Sequence, residues 1–369
     1  VSIRKLADGR YEWRHRVGGR HLKKTFARRA DAVRHDAAVR ADAARGVLVD
    51  LSSRVTVAEY ARAWSAARVL RPGTRRIHDV FLRHHVEGTP LGGRPIVRVR
   101  PSEIQAWVAG RSAILAPGTL RNYLGMLRSV FAAAALDGVI GRNPVLPAGR
   151  LSLPRHERPK IVPLTVAQVQ AWAAAAPPRI RAMIVAQAAL GLRISELRAL
   201  RLADVDFLRR EVRVEAQLDL AGRHRVPLKS ANAARTVPLP TVASEALAAH
   251  IAQFPPAPDG TVFTTAAGRP WSAGGMLRPA YSAAAATAGL PEGTSSHDLR
   301  HHYASVLLAA GESVHAVAER IGDTPAMVLA VYGHVMPDQE DTTRRAVDAA
   351  WADVPGVYPP TAPEQVRRR

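Results

Sequence analysis

Seventeen residues near the middle of the chain, 147–163 (PAGRLSLPRHERPKIVP), carry four prolines, four basic residues and no apolar period. Proline gives no backbone N–H to a ladder, and without a repeating apolar face neither a helix nor a strand has a reason to run through such a stretch. The segments on either side must therefore close separate cores. The reading is a linker at 151–163 between a domain at 51–150 and one at 164–351, with a small domain at 1–50 in front and a proline-rich tail at 352–369 expected to be disordered. A length of 369 residues accommodates that division at roughly 150 residues per domain.

Charge follows the same division. The chain has 52 Lys+Arg against 31 Asp+Glu, a formal net charge of +21. Residues 1–50 hold 13 basic and 6 acidic side chains, +7, and residues 51–159 hold 17 and 6, +11. Residues 160–350 hold 19 and 17, only +2. A polyanion-binding front and a nearly neutral back point to nucleic acid, with binding separated from chemistry; the alternative is a solvated basic surface serving solubility. Cysteine is absent, which excludes disulfides, thiolate catalysis and cysteine-ligated metals and fits a cytoplasmic, DNA-associated protein. No run approaches the ~18 apolar residues of a membrane span, and none reads as a signal peptide.

The periodicities predict an α+β, mainly helical protein. Residues 2–6, 10–17 and 21–26 alternate with period two around Asp8-Gly9 and Gly18-Gly19 turns, and residues 27–45 then turn helical: a three-stranded sheet plus one helix. The sheet bears Arg4, Lys5, Arg14, Arg16, Lys23 and Lys24, with Tyr11 and Trp13 between them, and such a ribbon suits a DNA groove. Helices are expected at 57–69, 74–85, 101–109 and 119–136, the second and fourth adding Arg75, Arg76 and Arg121 to the expected DNA contacts. Beyond the linker, helices at 165–176 and 179–190 lead to a short helix from Ser195. Two or three strands follow at 211–216, 223–228 and 236–239, forming a small antiparallel sheet. Helices return at 242–253, 272–288, 297–310, 313–321 and 325–332.

Several chemistries are excluded by motif. None of the five lysines follows glycine, so there is no phosphate-binding loop, and HExxH and GxSxG are absent. Asp204 and Asp206 sit in a helix-to-strand turn, where aspartates serve local hydrogen bonding, and are not read as a metal site. What remains is a phosphate-handling set. Arg193 stands at a helix start after Gly191, and His297 and Arg300 share one face of a helix's first turn. Two arginines can grip one phosphodiester and stabilise a pentacovalent transition state, while His297 can move a proton or donate to the phosphate. Lys229, in a hairpin turn, can protonate a leaving alkoxide. Tyr332, at a helix end stopped by Gly333, can serve as nucleophile once its phenol loses a proton. Each also has a purely structural reading, as cap, salt bridge, solubility charge or core aromatic, and the residues alone leave both open.

Taken together, residues 189–200 (ALGLRISELRAL), 227–240 (PLKSANAARTVPLP), 297–305 (HDLRHHYAS) and 320–334 (RIGDTPAMVLAVYGH) resemble the catalytic domain of tyrosine recombinases, especially phage-type integrases. Residues 51–150, ending in GVIGRNP at 138–144, resemble the family's helical core-binding domain, and residues 1–50 its arm-type DNA-binding domain. The resemblance implies that Arg193 and Arg300 clamp the scissile phosphate. By the same resemblance Lys229 protonates the leaving 5′ oxygen, His297 acts as acid or base, and Tyr332 forms a 3′-phosphotyrosyl link. Glu196 would support Arg193. It also implies double-stranded DNA sites of core and arm type, a homotetramer with a Holliday-junction intermediate, accessory directionality or DNA-bending proteins, and neither ATP nor metal nor other cofactor. The helix expected at 338–351 would dock on a neighbouring subunit. One position departs: Asp323 stands where the family has His or Trp. An ionised aspartate accepts hydrogen bonds and cannot donate one to a phosphate, so it either turns away to cap the next helix or orients His297 or an arginine; His334 is a substitute donor. The rival readings are a chromosome-dimer-type resolvase with the same chemistry, a non-catalytic DNA-binding regulator, and a metal-dependent transposase or nuclease.

Overall fold

A computed structural model describes residues 2–17, 20–44, 53–145, 150–155, 161–219, 222, 224–228, 234–335 and 340–351. Lys229 and the expected tail at 352–369 lie outside the described residues. The chain forms two compact units, Val1–Arg158 and Pro159–Arg369.

The first unit opens with an antiparallel meander, β1 (Ser2–Lys5), β2 (Tyr11–Val17) and β3 (Arg20–Phe26), followed by α1 (Arg29–Ala44). Trp13 anchors the sheet to the helix: its indole N–H donates to Asp36 Oδ1 at 2.9 Å and its ring meets His35 edge-on at 4.7 Å. Strand alternation then divides the basic residues between two faces. Register pairs Arg14 with Lys23 and Arg4 with Glu12, and Glu12 binds Arg14 at 2.6 Å and Lys23 at 2.5 Å. Lys5 and Lys24 pair with Tyr11 and Trp13 on the other face, Lys24 lying over the Phe26 ring. Arg16 is opposite His21.

Among the described residues four α-helices follow in this unit: α2 (Val57–Ala66), α3 (Pro72–Phe81), α4 (Pro101–Ser112) and α5 (Pro117–Leu136). Thr56 and Glu59 cap α2 reciprocally, and Pro stands at the first turn of the other three. A π-helical turn, Leu82–Glu87, extends α3. Val57, Phe81, Ile104, Leu120, Leu127 and Phe131 form the core, each burial contributing roughly 1.5–3 kcal/mol. Two of the basic residues expected on DNA are committed inside the unit. Arg75 donates to the carbonyls of Ser65 at 2.6 Å and Arg68 at 2.7 Å, closing the end of α2, and Arg121 donates to Pro154 O at 2.8 Å. Arg76 is exposed.

The second unit begins with α6 (Val166–Ala175), α7 (Pro178–Leu190) and the single turn α8 (Ile194–Leu197). Among the described residues five strands follow rather than two or three: β4 (Val205–Asp206), β5 (Glu211–Val214), β6 (Ala216–Leu218), β7 (Arg225–Pro227) and β8 (Arg235–Pro238). They form two antiparallel sheets, β4-β5-β8 and β6-β7. The run expected as one strand from 211 breaks at Glu215, because β5 pairs with β8 while β6 folds back on β7.

Then come α9 (Thr241–Gln253), α10 (Arg278–Thr287), α11 (Ser296–Ala309), α12 (Val314–Ile321), α13 (Pro325–Tyr332) and α14 (Glu340–Trp351). The helix expected from 272 starts regularly only at Arg278, since Gly275 has φ −87° and ψ −117° inside the preceding turn. Trp172, Met183, Leu190, Leu197, Val237, Phe263 and Leu299 lie in the main core. A smaller cluster of Ala304, Leu308, Val317, Ile321, Val328 and Tyr332 packs α13 against α11 and α12. Mainly helical α+β architecture is what the periodicities predict. Among the described residues no helix is long and apolar enough to cross a membrane.

Candidate active site

The site is built around two glycines that end helices in the left-handed conformation. Gly191, after α7, has φ 64°, and a Cβ there would lie 2.3 Å from the Tyr303 ring, so only glycine fits. Its carbonyl accepts Arg300 Nη1 at 2.9 Å. Gly322, after α12, has φ 62°, and its carbonyl accepts Arg193 Nη2 at 2.9 Å. Each arginine is thus aimed by a helix C-terminus, where carbonyl groups attract cations.

The two arginines differ in exposure. Arg300 is 2% exposed, and burial followed by the charge of Arg193 lowers its pKa to about 10, so it stays protonated near neutrality. The Arg193 side chain is 31% exposed and is held by Glu196 Oε1 at 2.9 Å. Glu196 also accepts the Arg193 backbone N–H at 3.0 Å, so this one-turn helix start is occupied by the protein's own carboxylate. The other oxygen of Glu196 meets Arg235 Nη2 at 2.8 Å, with both side chains buried at 2% and 3% exposure. Burial alone would raise the Glu196 pKa, but the Arg235 and Arg193 charges outweigh it and hold it below the usual glutamate value. Arg235 further donates to Arg320 O at 2.7 Å. Its importance is missed by reading the sequence for exposed arginines. The signal is its place in β8, where it shares the buried face with Val237.

Asp323 is not turned away. Its Oδ1 accepts the Thr324 N–H at 3.1 Å, while Oδ2 lies 3.5 Å from Nη2 of both Arg193 and Arg300. At that separation the interaction is mainly charge attraction. The Asp323 carboxylate therefore faces the two arginines, and Thr324 supplies the cap of α13.

On α11, Ser295 and Asp298 form a capping box that fixes the first turn and the exposed His297. Partial burial, then the Arg300 charge, lowers the His297 pKa. One turn on, the His301 ring meets the His297 ring edge-on at 4.5 Å, and its Nδ1 lies 2.7 Å from Tyr332 Oη. Tyr332 is 4% exposed. Burial pushes its phenol up to about 12, against an opposing pull from Arg300. The phenol therefore holds its proton near neutrality, within hydrogen-bond distance of His301 Nδ1. His301 is kept neutral because burial, then His297, pushes its pKa down to about 4. Sequence reading missed His301; the available signal is its i, i+4 placement with His297 on one helix face.

Other residues have other partners. Tyr303, also on α11, packs against Gly191 and against both core clusters. His334 lies 2.8 Å from Ile161 O and makes no described bond to either arginine. The strands β7 and β8 end and begin on either side of Lys229. Asp204 accepts from Arg201 N and Asp206 from Leu208 N and Arg209 N, the local bonds of a turn, and Asp204 also accepts from Arg225 Nη2 of β7. Among the described residues there is no group of three or more His, Asp or Glu able to hold a metal ion.

Residues 163–338 match the model of the phage integrase family. A putative prophage phiRv2 integrase of Mycobacterium tuberculosis is 25% identical over 281 residues, covering 75% of this chain and 73% of that protein. The tyrosine recombinase XerC of Rhodospirillum centenum is 30% identical over 257 residues, 66% of this chain and 69% of that protein. Among solved structures, the integrase of transposon Tn1549 in complex with a circular intermediate DNA has a TM-score of 0.69 at 24% identity, covering 80% of this chain and 99% of that one. A lambda integrase dimer bound to a COC′ core site has a TM-score of 0.58 at 16% identity, covering 92% and 95%. These structural likenesses bear on the fold.

Proposed function

The chain belongs to the tyrosine recombinases, site-specific recombinases that act on DNA by breaking and rejoining strands, and we propose that it is an integrase whose nucleophile is Tyr332. Tyr332 Oη attacks a phosphodiester, the 5′ oxygen leaves, and the bond is stored as a 3′-phosphotyrosine until a partner strand's 5′ hydroxyl attacks in turn. Bond energy is kept throughout, so the scheme needs neither ATP nor a metal. Arg193 and Arg300 bind the non-bridging oxygens, His297 stands at the mouth as acid or base, and Lys229 protonates the leaving oxygen. Glu196 and Arg235 hold Arg193 from behind.

The observation that carries this reading is the convergence of the two guanidinium tips on Asp323 Oδ2, with Arg300 close enough to Tyr332 for its charge to act on the phenol. Two fixed cationic donors beside a nucleophile suit charge that grows on phosphorus-bound oxygens, and losing one such donor typically costs about 10²–10³ in rate. The exposed basic residues of β1–β3 support a front domain that binds accessory arm-type sites, which favours an integrase over a resolvase with the same chemistry. Assembly as a tetramer on two core-type sites, with DNA-bending or directionality proteins assisting, completes the proposal.

The test uses a supercoiled plasmid carrying the DNA that flanks this coding region, incubated with the protein in EDTA without ATP and quenched in detergent. Wild type and Tyr332→Phe are compared for protein covalently bound to DNA. An adduct formed by wild type alone is expected. An adduct that survives in Tyr332→Phe would mean that another residue is the nucleophile.

A further inference from the structure

We infer that His301 accepts the phenolic proton of Tyr332 as its oxygen attacks phosphorus. The inference rests on the reading of Tyr332 as nucleophile. Its basis is the contact of 2.7 Å between His301 Nδ1 and Tyr332 Oη, in a site where the phenol is almost fully enclosed. The alignment is held by packing. His301 rides on α11, Tyr332 ends α13, and the cluster of Ala304, Leu308, Val317 and Val328 ties the two helices together.

A phenol raised to about 12 is ionised in only roughly one molecule in 10⁵ at pH 7. Attack must therefore shed the proton as the new bond forms. No other acid–base group nearby has a described hydrogen bond to the phenol. Asp323 faces the arginines, Glu196 is locked between Arg193 and Arg235, and His297 is exposed beside the His301 ring with no described hydrogen bond to the phenol. His301 is neutral, and in the tautomer that carries its hydrogen on Nε2 the Nδ1 lone pair faces the phenol. Its low basicity suits the step. The proton is held tightly on the free phenol and becomes strongly acidic once Oη bonds to phosphorus, and a base whose pKa lies between those limits takes it during the attack.

The step balances. The Oη–P bond forms and the P–O5′ bond breaks. The phenolic proton passes to His301 Nδ1, and the departing 5′ oxygen takes a proton from a separate donor, Lys229 in the proposed function. In rejoining, the incoming 5′ hydroxyl gives its proton to that donor, and His301 returns its own to Tyr332.

The test has two arms on the full chain. In the first, wild type, His301→Asn and His301→Phe are compared for adduct formation on the flanking-DNA plasmid, each with tyrosine or a more acidic fluorinated tyrosine at position 332. Both variants are expected to slow adduct formation by about 10²–10⁴, and the fluorinated residue is expected to restore much of the loss. A merely structural role for His301 predicts no such rescue. Near-wild-type rates, or a defect that fluorination does not relieve, would overturn the inference. The second arm needs no DNA: nitrogen-15 NMR of the histidines, with His301 assigned by its loss in His301→Asn. Its Nδ1 resonance is expected to move in Tyr332→Phe, and an unmoved resonance would overturn the pairing whatever the plasmid shows. An adduct persisting in Tyr332→Phe would instead sink the nucleophile reading on which the inference stands.

Discussion

Replacing Glu196 by Gln probes the electrostatic floor of the site. The Glu196 and Arg235 side chains are 2% and 3% exposed and meet at 2.8 Å, while the other carboxylate oxygen holds the partly exposed Arg193. Glutamine keeps the shape and one acceptor but removes the charge opposite a buried guanidinium. Breaking one side of a buried pair costs about 3–5 kcal/mol, and the retained acceptor places the change near the lower end. The Arg193 arm, a third exposed, adds at most a few tenths of a kcal/mol after solvent screening. For a unit of 211 residues (159 to 369), ~3 kcal/mol corresponds to a fall in Tm of roughly 6–12 °C.

Scanning calorimetry at several pH values checks both size and cause. The folded pKa of Glu196 is depressed, so its stabilisation is complete above the unfolded glutamate value of about 4.3 and is lost as pH falls through the lower folded value. The gap between wild type and Glu196→Gln should therefore be full at pH 7 and should close progressively below pH ~4.3. A double change, Glu196→Leu with Arg235→Met, should recover much of the loss, because replacing a whole buried pair is far milder than orphaning half of it. A gap under ~2 °C at pH 7, or one that persists unchanged in acid, would refute the assignment of this pair as a charged, buried contact.

Three further outcomes are expected. Arg193→Lys keeps the charge but loses the fork that binds Glu196, Gly322 and a phosphate together, so adduct formation should fall about 10²–10³-fold; a near-wild-type rate would remove Arg193 from the phosphate. Gly191→Ala forces a Cβ into the Tyr303 ring at positive φ and should cost at least ~2 kcal/mol in a denaturant titration, whereas an unchanged midpoint would contradict the described packing. Deleting residues 1–50, which carry +7, should weaken binding to long DNA and flatten its salt dependence, by up to ~0.9 in slope for each DNA phosphate these residues neutralise. An unchanged slope would deny this segment a role on DNA.

Much of the helical framework is legible because its signals are local. Thr165, Ser295, Ser313 and Thr324 cap the helices that follow them, and apolar spacing marks the buried faces. The strands are less so. From 211 to 218 the chain alternates continuously, and only pairing over distance decides that β5 joins β8 while β6 joins β7. The π-helical turns at Leu82–Glu87 and Ala273–Leu277 likewise fall in runs whose spacing predicts ordinary helix. In the site, Arg193, His297, Arg300 and Tyr332 stand out by type and order. Arg235 is hidden because one arginine among 47 looks like surface. His301 is hidden because its partner lies 31 residues away. Basic residues are the weakest guide to DNA contact, since the same guanidinium that suits a phosphate also suits the backbone carbonyls taken by Arg75 and Arg121.

The carbonyls of Gly191 and Gly322 make α7 and α12 the rulers of the chemistry. A carbonyl's direction depends on where its helix stops, and each residue added or removed upstream of that stop swings the end by about 100°. Side-chain substitutions on the exposed faces of those helices leave the arginines aimed, whereas a one-residue insertion or deletion misaims one of them. Grafting this pair of arginines onto another scaffold would therefore require α7 and α12 at constant length.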